Sequence, residues 1–363
     1  MKNIILSLIA FSFLMSDIQF SGDARFRPRY DIKENGDGSS TSDLYYMYRA
    51  RLNMKADIGD GWFFNTQLGT ANTAGMTTMG VDEDITAWGP GNQNSNRPPV
   101  NFMQLYFGNM KDDWGFWAGA FPLKYNPSLD LHFYSDKLVD IPFVLFNNSS
   151  TTGFAGYRVM NNGQKLNWFL SVDNNVTERE EPADDEEWDP IDDCDDFTLG
   201  MDANLTFGSV SVTPRLLTSF GGTDDDIYPT TFGADILLGG GFSMSYYVSE
   251  NGDSGDSGHY KSDHMRFSVK QGKLKLFYDM ASVSNAEYNQ NIDLNNDGIL
   301  NKDNDQVSYL WLSYTHTCYK GEMGEITLSP TFRLQTGKGA GSDSFDEDYS
   351  RSKFEVTAQI KFN

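Results

Sequence analysis

The chain has 363 residues, 39% of them hydrophobic and 14% aromatic, with 28 Lys+Arg against 51 Asp+Glu and a formal net charge of −23. So acidic a balance excludes a nucleic-acid partner, because phosphate contacts need clustered Lys and Arg. Two cysteines, Cys194 and Cys318, are too few for a disulfide scaffold, and neither has metal-ligand spacing around it.

At the N-terminus, Lys2 and the apolar run Ile4–Met15 read as the n- and h-regions of a signal peptide over residues 1–16, with Ser16 the last residue before cleavage. The run falls short of the ~20 residues a helical span needs, and no later run approaches that length. Residues 17–363 are therefore expected to form one exported domain without a membrane helix.

From there, segments of about ten residues alternate apolar and polar with period two, the mark of strands whose faces meet different environments. The first eight are Asp17–Tyr30, Leu44–Asp57, Gly61–Thr70, Val100–Gly108, Trp114–Pro122, Thr151–Met160, Gln164–Asp173 and Phe197–Phe207. The second eight are Ser209–Ser219, Tyr228–Leu238, Gly241–Ser249, His259–Lys270, Lys273–Ser282, Gln306–Cys318, Glu325–Thr336 and Ser350–Phe362. No helical period of useful length interrupts them.

The connections alternate in length. Short links carry turn residues, as at 58–60, 161–163, 239–241 and 271–272, whereas the long links are polar and rich in Gly, Asn, Ser and Asp. Short turns at one end and long loops at the other, with an even strand count, predict an all-β fold: an antiparallel up-and-down transmembrane β-barrel of sixteen strands. Sixteen strands enclose a lumen too wide for side chains to fill, so the polar faces should line water and the apolar faces should meet lipid. The last strand shows the pattern most cleanly, with Phe354, Val356, Ala358, Ile360 and Phe362 alternating with Glu355, Thr357, Gln359 and Lys361. Two segments, Trp114–Phe121 and Tyr309–Tyr314, are apolar on both faces, and periodicity does not orient them. The loop order makes 31–43, 71–99 and 123–150 the first three outer loops.

The leader, the sixteen strands, the short-turn and long-loop alternation and the near-terminal Phe362 together resemble the general porins of Gram-negative outer membranes. The resemblance covers essentially the whole mature chain and is architectural. It implies a water-filled channel in the bacterial outer membrane for passive diffusion of small hydrophilic solutes and ions. It also implies insertion by the barrel-assembly machinery, contact with membrane lipid and lipopolysaccharide, and a homotrimer.

Three features could carry function. Arg25, Arg27 and Arg29 on the first strand and Arg49, Arg51 and Lys55 on the second share one face of the first hairpin. A charge facing lipid at the midplane costs about 2–4 kcal/mol, so this basic stripe is expected in the lumen. The third outer loop is unusually apolar and aromatic for a loop in water. By resemblance it folds inward, and Asp130, Asp136, Lys137 and Asp140 would face the stripe across a constriction. In a later loop, Asp293, Asn295, Asp297 and Gly298 match the start of a calcium-binding loop, which the Ile299 carbonyl, Asn301, Asp303 and Asp305 could complete, although position twelve is Asn304 and not Glu. Ca²⁺ there is the one cofactor the sequence suggests, and none is required. The fourth outer loop, Glu178–Asp196, holds twelve acidic residues, suited to solvent or to a cation-bridged lipopolysaccharide surface.

The four histidines, His132, His259, His264 and His316, lie on separate segments, and neither HExxH nor GxSxG occurs, so no enzyme activity is expected. Two other readings remain. The arginine stripe would suit an anion- or phosphate-selective channel, and a plugged barrel could serve adhesion or structure.

Overall fold

The computed structural model describes residues 18–34, 38–70, 76–79, 99–123, 151–175, 196–221, 229–251, 258–288, 306–338 and 349–363. Sixteen antiparallel strands close into one barrel. They are β1 Ile18–Glu34, β2 Ser40–Gly59, β3 Trp62–Gly69, β4 Asn101–Met110, β5 Trp114–Phe121, β6 Thr151–Val159, β7 Lys165–Asn174 and β8 Asp196–Phe207. The second half holds β9 Val210–Phe220, β10 Pro229–Gly239, β11 Phe242–Asn251, β12 Gly258–Gln271, β13 Leu274–Tyr288, β14 Gln306–Tyr314 with His316–Gly321, β15 Gly324–Lys338 and β16 Tyr349–Phe362. Strand β14 is interrupted at Thr315 and bulges between Thr317 and Tyr319, which leaves Cys318 exposed and unbridged.

Each strand pairs with its sequence neighbours, and β1 pairs with β16 from Gly22↔Phe362 to Glu34↔Ser350. Closure removes the free sheet edges that an open sheet would expose. At the lower end of this seam the Phe362 ring lies against Gly22, where a Cβ would stand 2.4 Å from the ring. The short turns bend as their glycines require; Gly239, Gly240 and Gly241 all take positive φ, at 82°, 60° and 85°.

The faces are inverted relative to a water-soluble sheet. On β16, Lys353 and Glu355 are 2% and 4% exposed, whereas Phe354, Val356 and Ile360 are 50%, 44% and 50% exposed. The same holds on β1 and β2, where Phe26, Tyr30 and Leu52 face outward and Asp23, Arg29 and Arg49 are buried. Such an arrangement is favourable only if the surroundings are apolar and the interior is polar, which is the condition of a barrel in a bilayer.

One expectation is corrected here. Residues 31–34 and 40–43 are strand and not loop: β1 runs to Glu34 and β2 begins at Ser40, so Asp31 and Asp43 oppose each other in a ladder. At 17 and 20 residues, β1 and β2 exceed the ~9–11 that cross the hydrocarbon, so their hairpin stands above it. Within the second long connection, Thr77 and Thr78 add a short pairing to Tyr48 and Met47 of β2.

Candidate functional site: the charged sector inside the barrel

The register fixes which side chains meet inside. Along β1 the inward positions are odd-numbered, and each faces an odd-numbered position of β2 and of β16: Asp23 opposes Arg51 and Lys361, Arg25 opposes Arg49 and Gln359, and Arg29 opposes Tyr45 and Glu355. On the far side of β16, Thr331 opposes Glu355 and Arg333 opposes Lys353. Closure therefore gathers the basic residues of the first hairpin with those of the last hairpin on one inner sector.

Three carboxylates organise that sector. Asp23 receives Arg51 Nε at 2.7 Å and Arg49 Nη2 at 3.1 Å, with Arg25 Nε at 3.3 Å. Glu355 receives Arg29 Nε at 2.8 Å, is hydrogen-bonded by Arg333, and has Arg27 Nε at 3.8 Å. Asp31 is held by a two-pronged contact from Arg351, at 2.7 and 2.6 Å, and by Lys353 Nζ at 3.3 Å. Tyr45 links the upper two groups, accepting from Arg29 Nη1 at 3.2 Å and donating to Asp31 Oδ2 at 3.3 Å. Paired guanidinium–carboxylate contacts of this kind fix geometry as well as charge.

The network also bridges a defect in the wall. The ladder between β1 and β16 skips Arg27 and Pro28. Proline has no N–H to give to a ladder. At that height Arg27 Nε donates to Thr357 Oγ1 at 2.8 Å, so side chains cross the seam where the backbone does not.

Of the residues singled out from the sequence, Arg25, Arg27, Arg29, Arg49 and Arg51 come together inside the barrel, while Lys55 lies exposed toward the short turn, opposite Gln19. Asp130, Asp136, Lys137 and Asp140 of the third loop lie outside the described residues. So do Asp293, Asn295, Asp297, Ile299, Asn301, Asp303 and Asp305 of the calcium-like loop, and nearly all of the acidic fourth loop. Sequence reasoning did not assign Glu355, Arg333 and Arg351 to the site. The signal was present in the alternation of β15 and β16, but only closure onto β1 turns it into a cluster.

The opposite sector is different. Tyr106 of β4, Trp117 and Phe121 of β5, Ala155 of β6, Phe169 of β7 and Leu217 of β9 pack together on the inner face. Phe169 lies across Gly200 of β8, where a Cβ would stand 1.9 Å from the ring. Between the two sectors, Arg266, Lys275 and Arg333 stack against Phe277 and Trp311, with Arg333 3.7 Å from the Trp311 ring centre and Arg266 4.2 Å from that of Phe277.

A closed barrel of this strand number, apolar outside and charged within, matches solved outer-membrane proteins. The fold is that of the porins. The anion-selective porin from Comamonas acidovorans superposes with a TM-score of 0.55 at 14% identity, covering 95% of this chain and 99% of its own. A loop-deletion mutant of OmpT, an outer membrane protein of Vibrio cholerae, gives 0.53 at 12% identity over 95% and 99%. A mutant of the Rh. blastica porin gives 0.53 at 14% identity over 95% and 100%. No protein-family model and no curated protein matches the chain. Within this porin fold, the charged sector joins the first and last strands.

Proposed function

We propose that the protein is an outer-membrane porin that lets small hydrophilic solutes and ions diffuse passively through its lumen. The observation that carries this reading is the inversion of the wall, with buried charge inside and exposed aromatic and aliphatic side chains outside. The porin-like neighbours support a channel of this general kind. In planar bilayers the purified protein should open stable conductances; if it inserts and stays closed, the channel reading fails and a plugged adhesion or structural barrel replaces it.

A specific observation favours anions within that reading. The ion-paired cluster on β1, β2, β15 and β16 sets eight cations (Arg25, Arg27, Arg29, Arg49, Arg51, Arg333, Arg351 and Lys353) against three carboxylates, Asp23, Asp31 and Glu355. Excess positive charge on a wall of low dielectric raises the local concentration of anions and sets the charge preference of a pore. The whole chain is acidic, but a charge more than a Debye length of about 8–10 Å from the pore is largely screened. What sets the preference is the charge on the wall itself, and in this sector that charge is positive. The reversal potential in a salt gradient should take the sign for anion preference. We further propose that the third outer loop narrows the pore against this sector, as the resemblance implies; conductance unchanged after deletion of residues 130–140 would remove that part. A homotrimer, lipopolysaccharide contact and Ca²⁺ at residues 293–305 belong to the same proposal.

A further inference from the structure

A second polar feature lies away from the charged sector, on the inner wall formed by β8 to β12. A cavity of about 390 Å³ opens there, lined by Ser211, Thr213, Asp235, Ser243, Ser245 and Ser268, with Arg266 and Asn204 at its sides and Ile236 and Leu237 as its apolar part. The register places Thr213, Asp235, Ser245 and Arg266 in one row across four strands, and Ser211, Leu237, Ser243 and Ser268 in the next. Five small hydroxylated side chains within these two rows, Ser211, Thr213, Ser243, Ser245 and Ser268, leave the hollow. Tyr247 borders it on one side: its ring lies across Gly233, where a Cβ would stand 2.6 Å from Cδ1, and its hydroxyl donates to Asp235 Oδ1 at 2.9 Å.

The charges around this hollow are largely paired, with Asp202, opposite Arg215, as a further carboxylate. Asp235 Oδ2 is 2.8 Å from Arg215 Nη2. Arg266 makes a two-pronged contact with Asp279, at 2.5 and 2.7 Å, and His264 Nε2 lies 2.9 Å from the same carboxylate. A charged solute therefore gains little net field here. The serine and threonine hydroxyls both donate and accept, and each Asp235 oxygen keeps a lone pair beyond its Tyr247 or Arg215 contact. We infer that this hollow is a binding subsite for a neutral, polyhydroxylated solute of about monosaccharide size, held by hydroxyl–hydroxyl and hydroxyl–carboxylate hydrogen bonds. The volume lies in the ~300–1,000 Å³ range of small-molecule sites. The inference rests on the porin reading only for the route by which solute arrives.

The test uses D-glucose as probe with the purified full chain in detergent. Saturable binding, measured by calorimetry or saturation-transfer NMR, is expected in the millimolar range, as suits a partly open site with a few hydrogen bonds. Filling the hollow with Ser243→Leu or Ser245→Leu should weaken it about tenfold or more, whereas Ser243→Thr, which keeps the hydroxyl, should retain it. Heat-modifiable migration on gels checks that each variant is a folded barrel. No saturable binding by about 100 mM, or binding indifferent to both leucine variants, overturns the inference. So does glucose 6-phosphate binding tenfold more tightly than glucose, because the subsite would then select charge. Conductance recorded on the same preparation separates the two readings: a conducting protein that binds no glucose loses only the subsite, and a binding protein that never conducts loses only the porin.

Discussion

The two halves of the inner wall are held in opposite ways. On β1, β2, β15 and β16 the side chains are ionic, and Asp23, Asp31 and Glu355 each gather two or three cations. On β4 to β7 an aromatic and aliphatic cluster packs on the inner face beside buried Thr151 and Ser171, with Phe121 and Phe169 each 1% exposed and Phe169 seated on a glycine. The ionic half is also the half that must close the barrel, and its ladder is interrupted at Pro28. Hydrogen bonds and ion pairs are directional, so they can define the register of a seam. Packing of rings defines volume and tolerates sliding. The difference suggests that the arginines serve the wall before they serve the solute, and that the two duties can be separated residue by residue.

The largest break should come from Glu355. Its side chain is 1% exposed between Arg29 and Arg333, with Arg27 nearby. Glu355→Ala leaves buried guanidiniums without their counter-charge, a loss of about 3–5 kcal/mol. Urea unfolding of the barrel in detergent micelles, followed by tryptophan fluorescence, should show the midpoint fall accordingly. A shift below about 1 kcal/mol would mean that the seam does not depend on this carboxylate. The aromatic half should yield next. Gly200→Val places a branched side chain where the Phe169 ring lies, and overpacking of this kind costs about 1–3 kcal/mol. Adding Phe169→Ala to Gly200→Val should return part of that loss, since the clash is with one ring; no recovery would locate the strain in the backbone instead.

The strands were legible because lipid outside and water inside impose the strictest two-residue contrast a sheet can have. Leu274, Leu276, Tyr278 and Met280 against Lys275, Phe277 and Asp279 on β13 needed nothing more than alternation, and the register agrees. The contrast failed where the lumen itself is aromatic. On β5, Phe116 faces out while Trp117 and Phe121 face in, and on β14, Leu310 and Leu312 face out while Tyr309 and Trp311 face in. Both faces read as apolar there, so only packing against Phe169 or Phe277 decides direction. The extended first hairpin was missed for a related reason: Ser40, Thr41, Ser42 and Asp43 are polar on both faces, as a strand may be once it has left the hydrocarbon. The partners of the arginine stripe were hidden because Arg29 and Glu355 are 326 positions apart. No local pattern couples them; the count of strands does, once it is taken to imply that the last pairs with the first.

The smallest effect on stability should come from the cations at the edge of the ionic half, and it is the most informative about function. Arg25 and Arg51 have side chains 27% and 23% exposed, against 5% for Arg29 and 2% for Arg333. Both lean on Asp23, which keeps Arg49 when either is removed. Partly solvated pairs of this kind are worth about 0–1 kcal/mol, so Arg25→Ala and Arg51→Ala should unfold within that margin of the parent chain. Each nonetheless removes a positive charge that faces the lumen, so the reversal potential in a salt gradient should move toward cation preference, and by more at low ionic strength, where screening is weaker. If the two variants lose stability as Glu355→Ala does, the outer arginines are structural and the ionic half has a single duty. If they are stable and leave the reversal potential unmoved, the charge that sets selectivity lies elsewhere on the pore. Only stable variants with a shifted potential support a wall whose inner arginines hold the seam while its outer ones read the solute.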